Sequence, residues 1–287
     1  MKTGTEFPLV SIGMPIFNGI DYINMALENL LSQTYQNFEL IISDNCSTDS
    51  SYEICQLAAF KDKRIRLFRQ SHNTGPLNNF EFVLRQAQGK YYMWAAHDDI
   101  WDLNWLSIAV AGFNNRAVMV TSEITGINDA NVQISIPLKF EFIEWRIFRL
   151  TKYFLLPESH GKANIIYSLF RTDIAKSYKF PGLDGFHGFD MHFVFFMLGK
   201  GECVFVEGKA MYKRVPEIRY VANNKIVLSK IYEVIRRNCR YLYIYINVSE
   251  GVMAKLTITL LMPLKLLSIL WYGGQSVLRR YLKDYKL

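Results

Sequence analysis

The chain has 287 residues, half of them hydrophobic and 15% aromatic, which excludes global disorder and leaves room for one large domain or a domain with an appendage. The formal net charge of +7 is unevenly placed, because from Lys209 onward fifteen Lys/Arg stand against four Asp/Glu and the first 208 residues carry about −4. A neutral-to-acidic body with a basic tail excludes nucleic acid as the first-choice partner and points to a charged membrane surface.

In chain order, Leu9 to Ile16 is an apolar run broken by Pro15 and by a turn at Asn18-Gly19, a first buried strand. Ile23, Ala26/Leu27 and Leu30/Leu31 follow at helical spacing, with Asp21 placed to cap. Phe38 to Ser43 is a second strand ending at Asp44-Asn45, and Ser47-Thr48-Asp49 open a helix through about Ala59. Ile65 to Arg69 is a third strand, and Leu77 to Gln88 is helical and stopped by Gly89. The fourth strand begins at Tyr91 and runs through Met93 and Trp94 to Ala96, carrying no charge until His97-Asp98-Asp99. Three strand-helix units followed by a strand specify a parallel sheet with right-handed crossovers. In such sheets ligands gather beyond the carboxyl ends of the strands. Two adjacent carboxylates at that place suit a hard divalent cation, Mg or Mn, although a solvated turn or helix cap accounts for the same residues. No GxGxxG follows the first strand, so a dinucleotide cofactor is not expected.

Further along, Trp101 to Phe113 reads as a helix and Ala117 to Ile127 as a strand. The aromatic and basic stretch 137–160 fits an amphipathic helix over an acceptor cleft or a core helix with extended cations. Gly161 to Arg171 reads as a strand, Phe193 to Leu198 as an apolar helix, Glu202 to Met211 as a strand and Leu228 to Tyr245 as a basic helix. In the hydrophobic stretch Val252 to Tyr272, Lys255, Pro263 and Lys265 rule out a clean membrane span. Lys255, Lys265, Arg279, Arg280 and Lys283 share one broad side of a helical wheel, away from Leu256, Leu260, Leu267 and Trp271. That pattern fits an interfacial helix on an anionic leaflet, or a core helix with an exposed basic face.

The ordered set Pro15-Ile16-Phe17-Asn18, Ser32-Gln33-Thr34-Tyr35, Phe38 through Asp49, Ala87 through Tyr91 and His97-Asp98-Asp99 resembles the family 2 glycosyltransferases of the GT-A fold. The similarity is strong over about 7–113 and looser over about 155–215. It implies an α/β fold with a Rossmann-like, mostly parallel central sheet and flanking helices, plus a C-terminal helical, membrane-associating extension. The domains expected are 1–127 for the nucleotide-sugar-binding half, 128–222 for the acceptor-binding half and 223–287 for the tail. By the resemblance, Pro15, Phe17, Asn18 and Asp44 hold base and ribose, Asp98 contacts nucleotide-sugar, and Asp98 and Asp99 hold a divalent cation (Mg or Mn). In the family's Asp-x-Asp-Asp motif the first Asp is here Ala96. The resemblance places the general base at Asp190, which the usual Glu-Asp pair would make Phe189-Asp190, with Asp184 and His187 as weaker alternatives.

The expectation is an inverting transferase that moves a sugar from a nucleotide-sugar, UDP-sugar first among them, to a saccharide or lipid-linked acceptor in cell-surface polysaccharide synthesis. Cys46, Cys55, Cys203 and Cys239 lack CxxC or paired spacing and no signal-like segment opens the chain, which sets a cytoplasmic location at the inner face of the membrane as the expectation. A non-catalytic nucleotide-sugar-binding scaffold at the membrane surface is the rival, strengthened by Ala96. A sugar-phosphate nucleotidyltransferase is disfavoured, since no basic, Gly-rich phosphate loop follows the first strand.

Overall fold

The computed structural model describes residues 8–134, 138–181, 188–215 and 245–284. Its first half alternates strand and helix as the sequence patterning requires: β1 (Val10–Ile16), α1 (Ile23–Leu31), β2 (Phe38–Asp44), α2 (Ser51–Lys61), β3 (Ile65–Arg69), α3 (Pro76–Gln86) and β4 (Tyr91–Trp94). All seven residues of both β1 and β2 are buried, which is why they read as continuous apolar runs rather than alternating ones. There follow β5 (Ile100–Trp101), α4 (Trp105–Ala111), β6 (Ala117–Ile127), α5 (Arg146–Leu155), β7 (Leu169–Arg171), α6 (Thr172–Lys176), α7 (Phe189–Lys200), β8 (Glu202–Arg214) and α8 (Val252–Asp284).

One eight-stranded sheet runs through both halves in the order β3-β2-β1-β4-β7-β6-β8-β5. β3, β2, β1 and β4 are parallel, β7 is antiparallel to both β4 and β6, β8 runs parallel to β6, and β5 pairs antiparallel with the far end of β8. The expected sheet is therefore present, with an antiparallel strand inserted at its centre. Apolar clusters fill both faces: Trp94, Phe170, Phe193 and Tyr178 pack edge to face on one, and Ile12, Leu40, Met93 and Trp105 pack on the other.

Several local expectations are corrected. Asp21 makes no cap; α1 starts after Tyr22, with Gly19 O accepting from Tyr22 N and Ile23 N. The helix expected from Trp101 is shorter, because Trp101 pairs with Met211 across β5–β8 and Asn29 clamps it, donating to its carbonyl and accepting from its N–H. Most of the strand expected over 161–171 is a 3-10 turn (Lys162–Tyr167) entered through Gly161 at φ 71°, and only Leu169–Arg171 joins the sheet. β8 continues three residues beyond the expected Met211. The basic helix expected at Leu228–Tyr245 lies, apart from Tyr245, outside the described residues.

In the tail helix Lys255 is exposed as its wheel position predicts, but Lys265 is not. Lys265 is fully buried, donating to Leu156 O at 2.8 Å and pairing with Glu158 at 3.0 Å, while Leu256, Leu260 and Leu267 face outward. A second buried ammonium, Lys162, shares Glu158 at 3.4 Å. Burial, with only one carboxylate for two lysines, holds the Lys162 pKa down to about 7. The unfolded chain keeps that proton to about pH 10, so above about pH 7 the unfolded state binds more protons and stability rises with pH. Urea unfolding is expected to show a gain of about 2–3 kcal/mol from about pH 6.5 to about pH 9, and Lys162→Met is expected to flatten it. An unchanged slope in the variant would refute this assignment.

Candidate active site

The loops after β1 and β2 are laced together before any ligand is considered. Asn18 adopts a left-handed backbone (φ 50°), a conformation asparagine tolerates; its side-chain oxygen accepts from Thr48 N at 2.9 Å and its own N–H donates to Ser47 Oγ at 2.9 Å. Gly19 N donates to Ser51 Oγ and Ile20 N to Asp49. A Cβ at Gly19 would lie 2.5 Å from the His97 ring, so glycine there lets the first turn close onto the segment carrying Asp98 and Asp99.

Beyond the carboxyl ends of β1 and β4 these loops enclose a cavity of about 330 Å³, lined among others by Pro15, Phe17, Asn45, Phe80, His97 and Asp98. Phe17 is 42% exposed and offers a free ring face. Of the residues assigned to nucleotide binding, Pro15, Phe17 and Asp98 line this cavity; Asn18 and Asp44 do not. The Asp44 carboxylate is buried at the end of β2, where both oxygens accept from Ser47 N at 3.2 Å and Arg69 Nε lies at 3.3 Å. Asn45, its neighbour, reaches the cavity and ties the loop before α3 through Thr74 N and Gly75 O.

The two adjacent carboxylates are separated in environment. Asp98 lines the cavity, and its backbone oxygen accepts from Arg214 Nε at 3.0 Å. Asp99 is fully buried and turned toward β8: Oδ1 accepts from Arg214 N at 2.8 Å, and Lys213 Nζ lies 3.8 Å from Oδ2. Burial pushes the Asp99 pKa up to about 6 against the pull of Lys213. Asp99 Oδ2 has no hydrogen-bond partner. An open carboxylate beside an unpartnered buried carboxylate oxygen is a hard-oxygen donor set that fits Mg or Mn completed by substrate phosphates. Among the described residues no three His, Cys, Asp or Glu side chains gather into a protein-only cage.

Lys213 and Arg214 are the residues that sequence reading missed. Arg214 donates to Asp98 O, Asn128 O and Asn131 Oδ1 and lies over the Tyr22 ring, so it clasps three segments at the site. Lys213 stands 4.7 Å from the Tyr167 ring centre, pairs with Asp99 and also acts on Asp98 and Asp190. The available signal was an adjacent Lys-Arg pair at the end of a long strand.

Asp190 stands in the first turn of α7, after Gly188 at φ 88°. Its Oδ1 accepts from Met191 N at 2.8 Å, and burial raises its pKa. The preceding Phe189 packs edge to face on Phe80, a cavity-lining residue, at 5.2 Å, which brings the start of α7 against the cavity. Asp184 and His187 lie outside the described residues.

Residues 11–178 match the family described as Glycosyl transferase family 2. The chain belongs to glycosyltransferase family 2. Several curated glycosyltransferases are 33–44% identical over 92–101 residues, and the chain spans at most 38% of their length. One of these, the teichuronic acid biosynthesis glycosyltransferase TuaG of Bacillus subtilis, is 36% identical over 94 residues, covering 33% of this chain and 37% of TuaG. Among solved structures, S. aureus TarS 1-349 in complex with UDP-GlcNAc aligns over 92% of this chain and 73% of its own, with a TM-score of 0.65 and 18% identity. The mannosyltransferase PcManGT of Pyrobaculum calidifontis, in complex with GDP-Man and Mn2+, aligns over the same shares with a TM-score of 0.53 and 14% identity. At these identities the structural likeness establishes the fold, which is the GT-A fold of this glycosyltransferase family.

Proposed function

We propose that this family 2 protein transfers a sugar from a nucleotide-sugar, a UDP-sugar first, to a saccharide acceptor in cell-surface polysaccharide synthesis. The observation that carries the reading is the cavity beyond β1 and β4, where Phe17 and Asp98 face one space and the start of α7, which carries Asp190, packs on its wall through Phe189 and Phe80. The teichuronic acid role in the name of TuaG and the nucleotide-sugars bound by TarS and PcManGT support this donor and product class.

In this mechanism the Phe17 ring stacks on the base, and Pro15 shapes the turn beneath it. Of the two other residues assigned to base and ribose, Asn18 holds the loops after β1 and β2 in register, and Asp44 fixes the turn of the second loop through Ser47 N. Asp98, with Asp99 behind it, would hold a divalent cation, which neutralises charge gathering on the departing diphosphate. Lys213 adds a fixed positive charge at the same place. The acceptor hydroxyl attacks the anomeric carbon while its proton passes to Asp190. The carbon–oxygen bond to phosphate breaks and its electron pair leaves with the nucleoside diphosphate. Attack opposite the leaving group inverts the anomeric centre.

The acceptor is a saccharide carried at the inner face of a membrane, with the protein bound peripherally. Among the described residues no helix is long and apolar enough to cross a membrane. The non-catalytic scaffold reading keeps one specific support, Ala96 in place of the first motif carboxylate. The deciding experiment incubates the purified full chain with UDP-, GDP- and dTDP-sugars and Mg or Mn, with and without a membrane-lipid extract as acceptor, and measures nucleoside diphosphate release. Metal-dependent release from one donor is expected. Tight donor binding without turnover under every condition, unaffected by Asp190→Asn, would establish the scaffold instead.

A further inference from the structure

A second cavity, about 530 Å³ in volume, opens at the amino ends of β6 and β8, the edge of the sheet opposite Asp98. Arg116, Arg146, Arg149, Arg171 and Lys200 line it against only two carboxylates, Glu144 and Glu202. Some of this charge is structural: Arg149 donates to Leu198 O at the end of α7, and Arg171 donates to Ala117 O and Asn114 O. Arg116 pairs with Glu202 at 3.2 Å yet remains 80% exposed, and Arg146 Nε is buried with no hydrogen-bond partner. The cavity has the charge of an anion site and no role in the transferase chemistry derived above.

An apolar surface begins at its rim. Trp145 lines the cavity and is 85% exposed, and Phe148 is exposed one turn further along α5. Arg146 donates to Glu250 O and Lys200 pairs with the Glu250 carboxylate, so the cavity touches the chain two residues before α8. From there Val252, Met253, Leu256, Leu260, Leu264 and Leu267 are all exposed at spacings of three and four, one continuous stripe of about 22 Å on a helix rising 1.5 Å per residue. Ala254, Ile258 and Lys265 face inward. A helix that buries a lysine and turns six large apolar side chains outward has its outer face covered by something other than water.

We propose that this face docks on an anionic lipid bilayer: α8 and the start of α5 lie in the interface, and the Arg116–Arg146–Lys200 cavity takes a phosphate-bearing headgroup. It rests on and deepens the membrane contact proposed above, and assigns the leucine side of the tail helix to the leaflet. Charge complementarity selects the occupant, since apolar side chains bordered by a cation-lined cavity match the acyl–headgroup boundary of an anionic leaflet, and the excess of Lys/Arg after Lys209 adds to the attraction. The stripe also ends near the acceptor side, where Lys265 meets Glu158 and Lys162, the latter acting on Asp190.

The test is co-sedimentation of the full chain with phosphatidylcholine vesicles with and without phosphatidylglycerol, together with Trp fluorescence. Trp94, Trp101 and Trp105 are buried. Binding to anionic vesicles is therefore expected to shift emission to shorter wavelength in the wild type, with the shift reduced in Trp145→Phe. Arg116→Gln combined with Lys200→Gln is expected to cut binding about tenfold or more. Leu256→Ser combined with Leu260→Ser is expected to abolish it; both pairs are exposed, and thermal melts verify that folding is kept. Equal binding to neutral and anionic vesicles, or retention by both variants, overturns the proposal. So does a dimer in solution that the leucine variant splits, which would give the face to a second copy of this chain. Nucleoside diphosphate release without lipid, measured on the same proteins, reports separately on the transferase reading.

Discussion

Asp190→Asn is expected to lower kcat for sugar transfer about 10²–10⁴-fold while leaving donor affinity within a few-fold, because it removes the proton acceptor and nothing that touches the nucleotide. Asparagine keeps the side-chain oxygen that accepts from Met191 N, so the helix start is preserved and the melting temperature should change little. The pH profile gives a second readout. Burial raises the Asp190 pKa, so the acidic limb of kcat/KM in the wild type should fall above the range of an ordinary carboxylate. A variant that loses rate only in step with stability would show Asp190 to be a helix cap.

Asp98→Asn and Asp99→Asn, adjacent and chemically identical changes, are expected to fail differently. Asp98 faces the cavity, so its amide should lose most metal-dependent nucleotide release with little change in melting. Asp99 is enclosed with Lys213 and the Arg214 backbone, so its amide leaves a partly buried ammonium without its nearest carboxylate. A loss of about 2 kcal/mol is expected, a melting shift of several degrees for a chain of this size, in addition to reduced activity. Calorimetry on both variants with a nucleotide-release assay separates the cases; equal melting temperatures would contradict the division of roles.

The parallel half was legible because its determinants are local. The wholly buried runs Val10–Ile16 and Phe38–Asp44 announce themselves as strands, and Ala117–Ile127 needed no correction. The Ser32-Gln33-Thr34 segment was recognised only as a motif. Its physical role is to pin the stretch following Asp99: Gln33 donates to Asp102 O and accepts from Leu106 N, and Thr34 N donates to Leu103 O. The misses concern contacts between distant segments. Lys213 and Arg214 looked like the start of a basic tail, since nothing near them reveals that β8 carries them to Asp98 and Asp99. Lys265 was placed outward by its charge, because the carboxylate and carbonyl that bury it belong to Glu158 and Leu156, more than a hundred residues earlier.

The strand order has a mechanical consequence. β4 and β5 are four places apart in the sheet, yet only Ala95 to Asp99 join them. Between the two strands the chain also turns at His97-Asp98. The segment bearing both carboxylates is thus a short connection anchored at one end in the centre of the sheet and at the other on its edge. With both ends in the sheet and Arg214 holding Asp98 O and Asp99 Oδ1, the two carboxylates share the frame of the strands rather than that of the surface loops.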